Sequence, residues 1–206
     1  LWSLAIEEQF YVVWPLVVVA ATRGRSLRAA ARRTMTVALS GAALSLLVWL
    51  VTNLLSASDV RMYEGTDTRA FGLLIGAALG SWWQLERRRT DGPSPLARAF
   101  VTAGPAAALA LGAAWVMLDG RSPVLLQQGG LPACSVLAVI VLAASVVPGG
   151  GIPGLDRILR LPPLTGLGQI SYGLYLWHWP VFLVLSEVRV GISGWWLLFL
   201  RIDVSL

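Results

Sequence analysis

The sequence predicts an all-α fold, a polytopic transmembrane helix bundle of about six full spans plus a truncated seventh. Three observations carry that prediction. Apolar residues fill 56% of the 206 positions and charged ones only 13%, about half the charge density of an average soluble domain. Mean hydropathy is +0.70. The apolar residues also gather into runs bounded by charges, Gly or Pro. Charge this sparse cannot coat a globule in water, which argues against a soluble, disordered or fibrous chain.

Taken in order, the runs are approximately Leu4–Ala21, Met35–Leu55, Ala70–Leu85, Phe100–Leu118, Leu131–Val147, Ile170–Leu185 and Gly194 to the end. Several lie near the lower limit for a spanning helix, about 17 residues. The last stops inside what should be a helix, and the chain opens at Leu1 without a methionine or a basic leader. It therefore reads as one partial membrane domain, residues 1–206, of a longer protein. Gly149–Gly151 and Pro162–Pro163 mark an irregular loop, with Leu155–Leu161 a candidate interfacial helix. No repeat and no second domain is expected.

All 16 basic residues are arginine, against 11 acids, for a net charge of +5. Five arginines fall in Thr22–Thr34, four in Gln84–Ala99 and two in Pro148–Gln169, eleven in all, whereas the intervening connections hold four. The positive-inside rule assigns the first set to the cytoplasm and places Leu1 on the outer side. The basic runs are thus topology signals with secondary contact to anionic lipid, and no nucleic acid is expected as a partner. Cys134 and His178 are the single cysteine and histidine, so no intrachain disulfide, no Cys-based metal site and no zinc site is expected.

Polar groups at apolar depth carry the functional information, because each costs several kcal/mol unless paired or facing a wet cavity. Three places qualify. In Ser3-Leu4-Ala5-Ile6-Glu7-Glu8-Gln9-Phe10-Tyr11, residues Ser3, Glu7 and Tyr11 stand at i, i+4, i+8 near one helix face, with Trp14 close below and Glu8 about 100° away. Glu7 and Glu8 are either solvated acids at a helix start, favoured by the macrodipole, or polar groups able to orient a base or bind a sugar hydroxyl. In Glu64-Gly65-Thr66-Asp67-Thr68-Arg69-Ala70, Thr66 or Asp67 makes an N-cap. Arg69, a cation in the first helical turn, requires a carboxylate (Asp67, Glu64 or one in the first span) or an anionic ligand nearby. In Ile170-Ser171-Tyr172-Gly173-Leu174-Tyr175-Leu176-Trp177-His178-Trp179-Pro180, residues Ser171, Tyr175 and His178 share a face, and Pro180 frees the carbonyl of Leu176, where a kink is expected. His178 reads as a hydrogen-bonded packing residue or as a base. Arg201 and Asp203 in the last run pair with each other or with another helix, or the truncated segment never inserts.

At these residues the sequence resembles the acyltransferase 3 family of bacterial integral-membrane O-acyltransferases. Ser3-Leu4-Ala5-Ile6-Glu7-Glu8-Gln9-Phe10-Tyr11-Val12-Val13-Trp14-Pro15-Leu16 is similar to its central motif, Glu64–Ala70 to its second and Leu167–Pro180 to its late motif, in the family's order. The resemblance implies a bundle of about ten helices in the bacterial cytoplasmic membrane. That bundle passes an acyl group, usually acetyl, from acetyl-CoA or another acyl-CoA to a hydroxyl of a surface or secreted carbohydrate, with no bound cofactor. It further implies a catalytic histidine and a partner arginine in a first transmembrane helix without counterpart in this sequence, so that this chain alone is expected to be inactive.

The chemistry suits the residues. O-acylation requires a base for the sugar hydroxyl and donors for the thioester oxyanion. Glu7, with Glu8 as second choice, is assigned to orienting that base, Arg69 to the same polar centre, and His178 stands as an alternative base. Ser3, Tyr11, Asp67, Tyr172, Tyr175 and Trp177 are candidate sugar contacts. Two rival readings remain open at this point: a flippase-like transporter for a glycan or acyl carrier, and an inactive remnant. The acceptor sugar, the acyl chain and the oligomeric state are not encoded in any motif.

Overall fold

A computed structural model describes residues 2–55, 59–118, 123, 127–147, 157, 160–186, 190–191 and 194–205. They form eight α-helices and, among the described residues, no strand. These are α1 (Trp2–Thr22), α2 (Leu27–Leu54), α3 (Asp59–Glu64), α4 (Thr66–Glu86), α5 (Pro95–Met117), α6 (Gly130–Val146), α7 (Pro162–Val184) and α8 (Trp195–Ser205). Among the described residues, Ala5–Thr22, Leu27–Leu54 and Pro95–Met117 are long and apolar enough to cross a membrane, and Gly130–Val146 is a shorter apolar helix.

The helices correct the expected boundaries in one direction. The helices over the second, third, fourth and sixth runs, α2, α4, α5 and α7, begin earlier than those runs, taking in polar residues. Ser26 caps α2 by accepting the Ala29 N–H, so Arg28, Arg32 and Arg33 sit on its first turns and not in a loop. Ser94 likewise accepts the Ala97 N–H at 3.1 Å, with Pro95 opening α5. Pro162 and Pro163, expected in a loop, instead open α7, where a missing N–H costs nothing. The helix runs on past Pro180 to Val184. The short α3 was not foreshadowed by any apolar run. Leu155–Leu161 falls mostly outside the described residues.

The chain divides into two compact units, Trp2–Pro153 and Gly154–Leu206. In the first, α2 and α4 share the most extensive contact, α1 touches both, and α6 packs against α4 and α5. The buried stripe of α2 is Ala30, Thr34, Ala38, Ala42, Ser45 and Trp49, mostly small residues at helical spacing, which lets helix backbones approach closely in lipid. At the contact, a Cβ on Gly41 would stand 3.2 Å from Leu74. Outward faces carry exposed Leu and Val, such as Leu44, Leu47 and Leu54 on α2 and Val12, Val13 and Leu16 on α1. In the second unit, α8 packs on α7. Arg201 donates through Nε to the Leu185 carbonyl at 2.9 Å and lies 4.5 Å over the Phe182 ring; the side chain of Asp203 lies outside the described residues.

Candidate active site

The polar centre of the first unit is built around the start of α4. Gly65 occupies the N-cap with no side-chain cap, which corrects the expectation of Thr66 or Asp67 there. The Asp67 carboxylate is engaged elsewhere. It takes a two-pronged ion pair from Arg61 on α3, Nη1 to Oδ1 at 2.7 Å and Nη2 to Oδ2 at 2.6 Å, and also accepts the Thr68 N–H at 3.1 Å. Bidentate guanidinium–carboxylate geometry of this kind is strong and directional. The Arg61 hydrogen bond, more than any other influence, holds the Asp67 carboxyl below the usual carboxylate range, and Asp67 in turn raises Arg61.

Thr68 is buried and its hydroxyl donates to the carbonyls of Met62 and Gly65, at 3.1 and 2.9 Å. From α2, the buried Ser45 hydroxyl accepts the Phe71 N–H at 2.9 Å and donates to the Asp67 carbonyl. Those two groups are the i and i−4 partners of a helical turn, so Ser45 grips the first turn of α4 from the side. Asn53 near the end of α2 donates to the Gln127 carbonyl at 2.6 Å, tying down the approach to α6. Gly129 then opens that helix at φ +83°, with Trp49 3.6 Å from where its Cβ would stand.

These contacts frame a cavity of about 360 Å³ lined by Glu7 and Ile6 of α1, Trp49 of α2, Met62 of α3, Thr68 and Arg69 of α4, and Cys134 and Ser135 of α6, with further apolar residues. Glu7 and Arg69 are both half-buried. One carboxylate and one guanidinium thus line the same mostly apolar, half-open cavity, where their charges are screened less than in bulk water. Of the other predicted residues, Glu8, Tyr11 and Asp67 are exposed outside the cavity lining. Ser3 sits on α1, but its side chain lies outside the described residues. Tyr172, Tyr175 and Trp177 are exposed on α7 of the second unit, and the side chain of His178 on that helix is outside the described residues. Sequence reasoning missed Arg61, Ser45, Trp49 and Ser135. No local spacing announces them, since each meets the site from another helix.

A helical bundle with membrane-length apolar helices and a half-open cavity lined by a carboxylate and a guanidinium defines the class: an integral membrane protein with a partly buried polar centre. Its family follows from comparison with known proteins. The acyltransferase 3 family, described as an acyltransferase domain, matches residues 1–202, and the chain belongs to that family. It is 35% identical to YrhL of Bacillus subtilis over all of this chain and 32% of that protein. It is 34% identical to the peptidoglycan O-acetyltransferase OatA of Listeria monocytogenes, over 91% of this chain and 29% of OatA. With the O-acetyltransferase OatA of Staphylococcus aureus the identity is 29%, over 92% of this chain and 30% of the relative. The chain thus spans about a third of the length of the curated relatives it matches. No solved structure matches it.

Proposed function

We propose that this chain forms part of a membrane O-acyltransferase that moves an acetyl group from an acyl-CoA donor to a hydroxyl of a cell-wall carbohydrate, peptidoglycan being the first candidate. One observation carries the reading. Glu7 and Arg69 come from separate motifs some sixty residues apart in sequence and line the same cavity. The names of the relatives support the acceptor class.

In the proposed reaction the sugar oxygen attacks the thioester carbonyl carbon, its proton passes to an imidazole base, and the C–S bond breaks as the thiol leaves with a proton. Glu7 holds that imidazole in the right tautomer and stabilises it once protonated. Arg69 stabilises the negative charge that develops on the carbonyl oxygen. The imidazole paired with Glu7 is the histidine that the family resemblance implies; His178 is a second candidate base, proposed apart from the Glu7–Arg69 cavity. Six full spans and a partial seventh are assigned, with the arginine-rich ends of α1, α2, α4 and α5 in the cytoplasm and the Glu7–Arg69 cavity toward the outer side. The acceptor then enters from outside and the donor from within.

The test is Glu7→Gln in the intact protein. Glycan acetylation falls by at least about 10²-fold while the protein still inserts; wild-type acetylation refutes the role. Glycan export without acetyl-CoA turnover would instead favour the transport reading.

A further inference from the structure

The opposite end of the first unit holds a second constellation. Arg28 and Arg32 lie one turn apart on α2, and Arg88 and Arg89 follow the end of α4. All four line a basin of about 530 Å³ together with Trp82, Leu85, Glu86, Thr90, Asp91, Ser94 and Leu96. Two carboxylates share the basin, leaving the arginines in excess by two charges. Buried Glu86 accepts the Ser94 N–H at 2.7 Å and Asp91 accepts the Thr90 hydroxyl at 3.2 Å. Among the described residues, none of these four arginines is in an ion pair. Four exposed arginines against two carboxylates leave the hollow net positive, with Arg89 Nε also donating to the Gly92 carbonyl at 3.3 Å; such a hollow attracts an anion, and guanidinium matches phosphate geometry in particular. The first turn of α5, whose cap residue Ser94 lines the basin, adds a partial positive charge.

One wall of the basin is apolar. Trp82 is fixed there by an edge-on contact with Phe100 at 5.3 Å, alongside Leu85 and Leu96. A second hollow, about 440 Å³, shares Arg28, Leu85 and Arg88 with the basin and continues between α1, α2 and α4 past Ala31, Ala77 and Gly80 to Trp14. Small residues keep it open: a Cβ on Gly80 would meet nothing within 4 Å. The ligand this shape fits has a phosphate end and an elongated tail. Along α2, Arg32 and Trp49 are separated by roughly 25 Å at 1.5 Å per residue, so the groove points from the basic basin toward the level of the Glu7–Arg69 cavity.

We propose that Arg28, Arg32, Arg88 and Arg89 form a binding site for a phosphate ester whose tail runs up the α1–α2–α4 groove. Two sources carry this chemistry: the nucleotide end of a coenzyme A thioester and the headgroup of an anionic phospholipid. The first source rests on the acyl-transfer reading; the site does not.

The experiment uses the intact protein in phosphatidylcholine nanodiscs. Coenzyme A is titrated directly, and retention of phosphatidylglycerol is measured by native mass spectrometry. At least one probe binds the wild type; coenzyme A alone identifies the nucleotide source and phosphatidylglycerol alone the lipid source. The Arg88→Gln/Arg89→Gln variant weakens that binding at least tenfold, and Gly80→Leu, at a position where an added Cβ meets nothing within 4 Å, weakens it at least threefold. Arg23→Gln/Arg33→Gln, equal in charge but outside the basin, changes it less than twofold. Helical circular dichroism and a monodisperse elution profile matching wild type confirm folding of each variant. Failure of both probes to bind, or equal loss in the Arg23/Arg33 control, overturns the proposal. Glu7→Gln retains phosphate binding, so failure of the acyl-transfer reading is seen separately, in acetylation.

Discussion

Gly65→Ala is the most informative single change outside the cavity. Gly65 adopts φ −65° and ψ 122°, a conformation open to alanine, so the backbone exacts no penalty and the cost comes from contacts alone. A Cβ there would run into the Arg61 guanidinium and stand 2.7 Å from both the Arg61 carbonyl oxygen and the Thr68 hydroxyl. The guanidinium can swing away, but only by leaving Asp67. The Arg61 carbonyl cannot move freely, because it accepts the Gly65 N–H at 3.1 Å. The Gly65 carbonyl in turn receives the Arg69 N–H at 3.0 Å and the Thr68 hydroxyl at 2.9 Å, so any shift passes to the turn carrying Arg69. Overpacking of this kind costs about 1–3 kcal/mol, and the trapped carbonyl favours the upper half of that range. Thermal unfolding in detergent, followed by tryptophan fluorescence, is expected to show a midpoint several degrees below wild type. Adding Arg61→Ala restores only part of the loss, since the carbonyl contact persists. Wild-type stability of Gly65→Ala would refute the reasoning.

Two further predictions concern the same helix start. Ser45→Ala removes both side-chain bonds to the first turn of α4 and destabilises by about 0.5–1.5 kcal/mol in the same assay, whereas Ser40→Ala, at an exposed position on the same helix, has no measurable effect. Asp67 has a folded-state pKa below its unfolded value, so the stability it contributes is complete above the ordinary carboxylate value of about 3.9 and is lost as pH falls through the lower folded value. The stability gap between wild type and Asp67→Asn is therefore flat from about pH 5 upward and closes on acidification below about pH 4; a gap that widened with acid would contradict the pairing.

The helical membrane class was legible because sparse charge and long apolar runs leave few alternatives, and Glu7 and Arg69 stood out because ionisable groups bordering apolar helices demand a reason. What stayed hidden was set by contacts distant in sequence. Asp67 reads as a helix cap from its neighbours alone. Its partner Arg61 lies on a six-residue helix without an apolar run to announce it, and the bend that joins the two depends on Gly65 lacking a Cβ. Trp49 and Ser135 are unremarkable members of apolar runs until the packing of α2, α4 and α6 turns them to one cavity. Helix starts were placed late at Leu27 and Pro162 because hydropathy marks where lipid begins, while Ser26 and the Pro pair mark where hydrogen bonding begins.

The central claim is that Glu7 and Arg69 act together in one chamber, and a double-mutant cycle on acetylation by the intact protein addresses it most directly. If they serve one transition state, Glu7→Gln and Arg69→Gln each abolish most activity, and the double variant is no worse than the more damaged single one. Losses that multiply, each substitution costing its full factor in the presence of the other, would mean that the two side chains work apart.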